Sequence, residues 1–181
     1  MHVFWQAKKI LGSLKRTNPA LFESGIDKTL VLIGAILHDI GRTKSHGIDH
    51  GLVGGQILSE LKAGEALKLI AERHIGGGIP RLEAEKLGLP PMDYLPTSIE
   101  EKLVCFADKL VDYRFHKHSK NWWCIEDWYD FTTSENEISK LRRALGSSHL
   151  AIKRVKDIEE YLLLLNNGPY SFSQNEMESS L

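Results

Sequence analysis

Five side chains in this sequence have the types and surroundings to hold a metal ion: His38, Asp39, His50, His74 and Asp108. Neighbouring helical residues point about 100° apart, so the adjacent pair His38-Asp39 can converge only at a helix end, just ahead of Gly41. An aspartate at the negative end of a helix dipole is unfavourable without a cation. His50 shares a helical stripe with Val53, Gly54, Ile57, Leu58 and Leu61, and His74 shares one with Leu67, Ile70 and Ala71. Each imidazole therefore falls on an apolar face. Asp108 lies in LVCFADKLV, between Val104 and Val111, where a buried carboxylate needs a strong partner. An arginine or lysine is one such partner. A divalent ion is the other, and it would hold the carboxylate ionised and the imidazoles neutral. Histidine and carboxylate donors together suit Mn, Fe, Co, Ni or Zn without choosing among them. Glycines lie beside all three histidines (Gly41; Gly51, Gly54 and Gly55; Gly76, Gly77 and Gly78) and permit the close backbone approach of a tight site.

Helices must position these residues, because no alternating run bounded by a hairpin turn is present. Val3, Ala7, Ile10, Leu11 and Leu14 make a first helical stripe, and Ser24-Gly25-Ile26-Asp27 caps a second helix, TLVLIGAILHDIG. Leu30 to Leu37 is apolar almost all round, which predicts a buried central helix ended by Gly41. A third helix starts near Asp49, and a fourth runs from Gly64 to His74 and stops at the three glycines. Pro80 opens a short helix ended by Gly88 and Pro90-Pro91. Thr97 or Ser98 caps SIEEKLVCFADKLVDYRF, and further helical stretches fall at 135–145 and 149–165. The expectation is one all-α domain over 1–166, with its core at about 1–116 and a flexible tail at 167–181.

Basic residues gather in sequence around the candidate ligands: Arg42, Lys44, Lys102 and Lys109. Their chemistry suits phosphate oxygens, and Arg42 and Lys109 come first because each neighbours a candidate ligand. His46 reads as a substrate or outer-shell residue, and His116, His118 and His149 as surface residues. Trp122, Trp123, Trp128, Tyr129 and Phe131 read first as packing and second as a stacking surface for a base. Cys105, in an apolar mid-helix setting, reads as an inert thiol. No Walker-type glycine loop is present.

Taken together, HDIGR, HGIDHGLVGGQIL, ERHIGGGI and IEEKLVCFADKLVD resemble the HD-domain metal-dependent phosphohydrolase superfamily over roughly residues 1–116. The likeness is greatest to a group of uncharacterised archaeal HDIG-type proteins. The resemblance implies a helical bundle whose ligands are His2, His38, Asp39 and Asp108. The intervening histidines resemble those of the dinuclear branch, which includes the bacterial symmetrical diadenosine tetraphosphate hydrolases. In that branch Asp39 would bridge two divalent transition metals, with His50 and His74 on the second. The implied reaction is hydrolysis of a phosphate ester or anhydride, nucleotide-like, by a metal-activated hydroxide. Arg42 and Lys109 would neutralise phosphoryl oxygens, with Lys44, His46 and Lys102 as further substrate contacts. Two other readings share the ligands: a di-iron oxygenase of the inositol oxygenase kind, and a non-catalytic or regulatory HD module of a longer polypeptide. Some archaeal tRNA ribose methyltransferases carry such a module. A ligand as early as His2 is what a domain cut from a longer chain would show.

Composition narrows the partners. The 181 residues are 42% hydrophobic and 26% charged, which excludes a disordered chain. Lys+Arg 23 against Asp+Glu 24 gives a net charge of -1, so an anionic substrate must be met locally. With no basic stripe interleaved with aromatics, a small phosphorylated substrate is expected rather than an extended nucleic-acid track. Cys105 and Cys124 form no disulfide framework and suit a reducing cytoplasm. No apolar run approaches the ~20 residues that cross a bilayer.

Overall fold

The computed structural model describes residues 2–110 and 149–168. Its elements are α1 (His2–Thr17), α2 (Pro19–Ser24), α3 (Lys28–Leu37), a 3-10 turn (Ile40–Thr43), α4 (His50–Glu60), α5 (Glu65–Arg73), a second 3-10 turn (Ile75–Gly77), α6 (Arg81–Lys86), α7 (Ile99–Lys109) and α8 (His149–Leu165). Among the described residues the fold is all-α, with one antiparallel bridge between Ile79 and Tyr94. The aromatic segment around Trp122 to Phe131, the stretch 135–145, His116, His118 and the chain beyond 168 lie outside the described residues.

The expected stripe of α1 is realised: Val3, Ala7, Ile10, Leu11 and Leu14 are all buried. They pack with Val31 and Ala35 of α3, Leu103 to Ala107 of α7, and Val155, Ile158 and Leu162 of α8. Side-chain caps fix where helices begin. The Asp27 carboxylate accepts from Leu30 N at 2.9 Å, and the Ser98 hydroxyl accepts from Glu101 N at 3.1 Å; each cap contributes about 1 kcal/mol. Asn18 caps α2 in the same way. The sequence pattern gave no sign of that short helix.

Two expectations about burial are corrected. Helix α3 is not buried all round, because Ile33 and Ile36 are 39% and 59% exposed. Its buried residues are Val31, Gly34 and Ala35, and among the described residues α3 packs chiefly on α1, α5 and α7. Leu61 is 66% exposed because α4 ends at Glu60, so the residue leaves the buried stripe.

Close approach of α4 to its neighbours needs glycine. A Cβ on Gly41 would lie 1.9 Å from the carbonyl oxygen of His50 and 2.5 Å from the backbone nitrogen of Gly54. No side chain fits between the turn after Asp39 and the helix that begins with His50. This contact sets the two ligand-bearing segments against each other.

Candidate metal centre

Each candidate ligand sits at the end of an element. His38 is the C-cap of α3, Asp39 precedes the turn Ile40–Thr43, His50 opens α4, His74 caps α5, and Asp108 is in the last turn of α7. Helix ends can aim neighbouring side chains inward where mid-helix positions would splay them. Their contacts bring all five together.

The three imidazoles share one device. Nδ1 of His38 lies 3.0 Å from Ala35 O, Nδ1 of His50 lies 2.7 Å from Gly47 O, and Nδ1 of His74 lies 2.7 Å from Ala71 O. A carbonyl oxygen only accepts, so each Nδ1 carries the proton and donates. Each neutral ring is thereby left with a bare Nε2 lone pair directed into the site, the arrangement that orients histidine for a metal. All three side chains are buried.

Those lone pairs converge. Nε2 of His50 and Nε2 of His74 are 3.2 Å apart, and Asp39 Oδ1 lies 3.2 Å from the first and 3.4 Å from the second. His38 Nε2 is 3.4 Å from Asp108 Oδ1 and 3.8 Å from Asp39 Oδ2. Asp39 Oδ1 is buried and accepts no hydrogen bond among the described residues. Acceptors facing acceptors at such distances repel unless a proton or a metal ion stands between them. The donor set forms two overlapping groups, Asp39 with His50 and His74, and Asp108 with His38 and His74. Both fit a divalent transition metal in ligand type and spacing.

The electrostatics agree for the two carboxylates and for His74, and His38 is the exception. Burial works against charge on Asp39, but the surrounding His50, His74 and His38 outweigh it and hold its carboxyl well below the usual range. Asp108 is likewise held low against its burial, by Lys109 and His38. Burial pushes the His74 imidazole below its ordinary pKa, so the neutral, ligating form is favoured. His38, although buried, is raised by Asp108 and Asp39.

Arg42 Nε donates to Asp39 Oδ2 at 2.8 Å and Lys109 Nζ to Asp108 Oδ2 at 2.7 Å, so each cation is paired with a carboxylate of the site. The other candidates are elsewhere. Lys44 and His46 are exposed on the loop before α4. Lys102 donates to Thr97 O at 2.9 Å and lies over the Tyr161 ring, roughly 9 Å of helix rise from Asp108. His2 is exposed at the start of α1 and belongs to neither convergent group.

Sequence reasoning passed over the carbonyls that orient the imidazoles, although they leave a trace. AILH, GIDH and AERH each place a small residue three positions before the histidine. It read Cys105 as an inert thiol without the contact it makes, a donation to His74 O at 3.2 Å.

A helical bundle that ends its elements on three imidazoles and two carboxylates defines a metal-binding helical domain. The chain belongs to the HD domain family, whose model matches residues 2–111; HD domains bind divalent metals, and the superfamily is one of metal-dependent phosphohydrolases. An uncharacterized protein of Methanocaldococcus jannaschii is 46% identical over 134 residues, covering 72% of this chain and 68% of that one. Proteins named tRNA (cytidine(56)-2'-O)-methyltransferase also match. The one from Picrophilus torridus is 53% identical over 85 residues, 47% of this chain and 25% of its own length. The one from Thermoplasma volcanium is 49% identical over 88 residues, 49% of this chain and 26% of its own length. This chain thus matches about a quarter of the length of each methyltransferase. No solved structure matches it.

Proposed function

We propose that this chain is a metal-dependent phosphohydrolase acting on a phosphate ester or anhydride of a small, nucleotide-like substrate. The observation that carries the reading is the convergence of three Nε2 atoms and two carboxylates, flanked by Arg42 and Lys109. His38 and Asp108 would hold one ion and His50 and His74 the other, with Asp39 between them: its Oδ1 lies near His50 and His74 and its Oδ2 near His38. A divalent metal supplies Lewis acidity there and lowers the pKa of water toward neutrality. The chain's own residues do the remaining work. The Ala35, Gly47 and Ala71 carbonyls keep the imidazoles in the ligating tautomer. Lys109 helps hold Asp108 ionised and Arg42 donates to Asp39; both would neutralise charge growing on phosphoryl oxygens, which lowers the barrier. His2, Lys44, His46 and Lys102 keep their expected roles only as secondary candidates.

A second reading is favoured by the methyltransferase relatives: an HD module within a larger tRNA-modifying protein, with the metal site structural or regulatory. One experiment separates the readings. Protein loaded with Mn or Co is assayed on a phosphomonoester, a phosphodiester and a nucleotide anhydride. Hydrolysis of at least one is expected. Arg42→Ala and Lys109→Ala should keep their metal yet lose about a hundredfold in rate, since a charge contact made in the transition state is worth roughly 3 kcal/mol. Metal uptake without hydrolysis would favour the module. No uptake of Mn, Fe, Co or Ni would overturn the metal reading, and oxygen consumption by the reduced iron form would replace phosphate chemistry with oxygen chemistry.

A further inference from the structure

The HD match ends at residue 111, and α8 lies beyond it. Even so, α8 is fastened into the domain at both ends. At its C-terminal end Thr17 Oγ1 donates to Asn166 Oδ1 at 3.0 Å, Asn18 Nδ2 donates to Leu165 O at 3.0 Å, and Asn167 Nδ2 donates to Thr17 O at 2.7 Å. Toward its N-terminal end the Arg154 guanidinium grips Glu83 with two parallel bonds, of 2.9 and 2.7 Å. Such fork-to-fork pairs fix geometry as well as charge. Between the two ends Ala151, Val155, Ile158 and Leu162 are buried.

What α8 presses on is the turn that follows His74. Gly76, Gly77 and Gly78 have φ of 59°, 76° and 94°, three consecutive left-handed residues. Glycine reaches these conformations freely and leaves them as freely, so the turn takes its shape from what packs against it. On one side the Cys105 thiol donates to His74 O. On the other lies α8. A Cβ at Gly77 would be 2.9 Å from Val155 Cγ2, 3.1 Å from Val155 N and 3.2 Å from Arg154 Cβ. The backbone three residues beyond a candidate ligand is thus seated on the helix that Arg154 holds in place. The ligand itself stands 3.2 Å from His50 Nε2 and 3.4 Å from Asp39 Oδ1, and a coordination site tolerates displacements of only about 0.5 Å.

We infer that α8 is the positioning element of the metal position formed by Asp39, His50 and His74. The Arg154–Glu83 pair and the seat of Gly77 on Val155 hold the glycine turn, and through it His74. Glu83, Arg154 and Val155 touch no ligand atom in this scheme. They act through the backbone of the turn. The inference rests on the metal reading above and adds to it a dependence on residues outside the matched region.

The test uses the full chain, titrated with Co(II) alone by calorimetry and by visible absorption, with circular dichroism monitoring helix content. Wild type should take two equivalents. Arg154→Met should bind the first as wild type does and the second at least tenfold more weakly, with a changed Co(II) spectrum. The charge-swapped double variant Glu83→Arg, Arg154→Glu should recover most of the second affinity. Should Arg154→Met lose its helix content, Val155→Ala decides, because it leaves the ion pair intact and takes away the Val155 Cγ2 contact under Gly77. It should weaken the second equivalent at least threefold and leave the first unchanged. A folded Arg154→Met or Val155→Ala variant with wild-type second affinity overturns the positioning role alone. Wild type that takes fewer than two equivalents overturns the two-metal reading, and this inference with it.

Discussion

Gly41→Ala is the sharpest probe of how the fold builds the site. The added methyl would sit 1.9 Å from the His50 carbonyl oxygen, 2.9 Å from its carbonyl carbon and 2.5 Å from Gly54 N. All three are backbone atoms of α4, so no side chain can swing aside. Ordinary contact begins near 3.4 Å, and the start of α4 must retreat by about 1.5 Å to restore it. Overpacking of this kind costs about 1–3 kcal/mol, which for a chain of this length lowers Tm by roughly 3–9 °C. The effect on the site is larger in proportion. His50 is the first residue of α4, and metal–ligand distances hold to about 0.2 Å, so the displaced imidazole leaves its place beside Asp39. Gly55→Ala is the control. Its Cβ would meet Glu72 Oε1 at 2.5 Å and Cγ at 2.6 Å, side-chain atoms that a turn about χ1 can carry away. Thermal melts and Co(II) titration of the two variants side by side provide the assay. Gly41→Ala should melt lower and lose the second equivalent, while Gly55→Ala changes little. If Gly41→Ala melted within about 1 °C of wild type and kept both equivalents, the close approach of turn and helix would not be what sets the ligands.

Two further outcomes follow from the site. Asp39→Ala should lose most bound metal, measured by elemental analysis after gel filtration, while its far-ultraviolet spectrum stays helical; retention of both ions would remove Asp39 from the bridge. Burial pushes the Cys105 thiol up to about 12, so it should resist iodoacetamide at pH 8.5 in the native protein and react in denaturant, as read from the mass of its peptide. The sign follows from the raised value: the folded state keeps a proton that the unfolded state releases above the ordinary 9.0. The thiol's contribution is therefore intact at neutral pH and is lost as pH rises from there toward 12.

Where function and local rules coincide, the sequence is transparent. The stripe of α1 and the caps at Asp27 and Ser98 depend on neighbours three or four residues away, and those are written consecutively in the chain. The candidate ligands were legible by other signs: His38 and Asp39 stand where a helical pattern stops, His50 and His74 fall on apolar stripes, and Asp108 lies between apolar neighbours. What sequence could not supply is the one-sidedness of α3. Apolar periodicity cannot separate a helix surrounded on every side from one that leaves Ile33 and Ile36 outward. Lys102 is a similar case, since its proximity in sequence to Asp108 becomes a separation along the helix and its amine goes to Thr97.

The Arg154–Glu83 pair marks the deeper limit. Its partners are 71 residues apart, neither has a periodic neighbour that announces it, and a charge on an amphipathic helix reads as a solvated face. By contrast, the orienting carbonyls of Ala35, Gly47 and Ala71 were within reach, because all three obey one rule. A histidine at a helix end can donate Nδ1–H to the carbonyl three residues before it, and a small residue at that position leaves room for the ring. One local rule, used three times, gives three imidazoles the same tautomer and so the same bare Nε2. A single histidine with that bond is a satisfied core residue. Three gathered around two carboxylates, two of them with Nε2 atoms 3.2 Å apart and within 3.4 Å of an unsatisfied carboxylate oxygen, are not. They need a positive charge at their centre, and the fold spends glycine after glycine bringing the backbone close enough to require it.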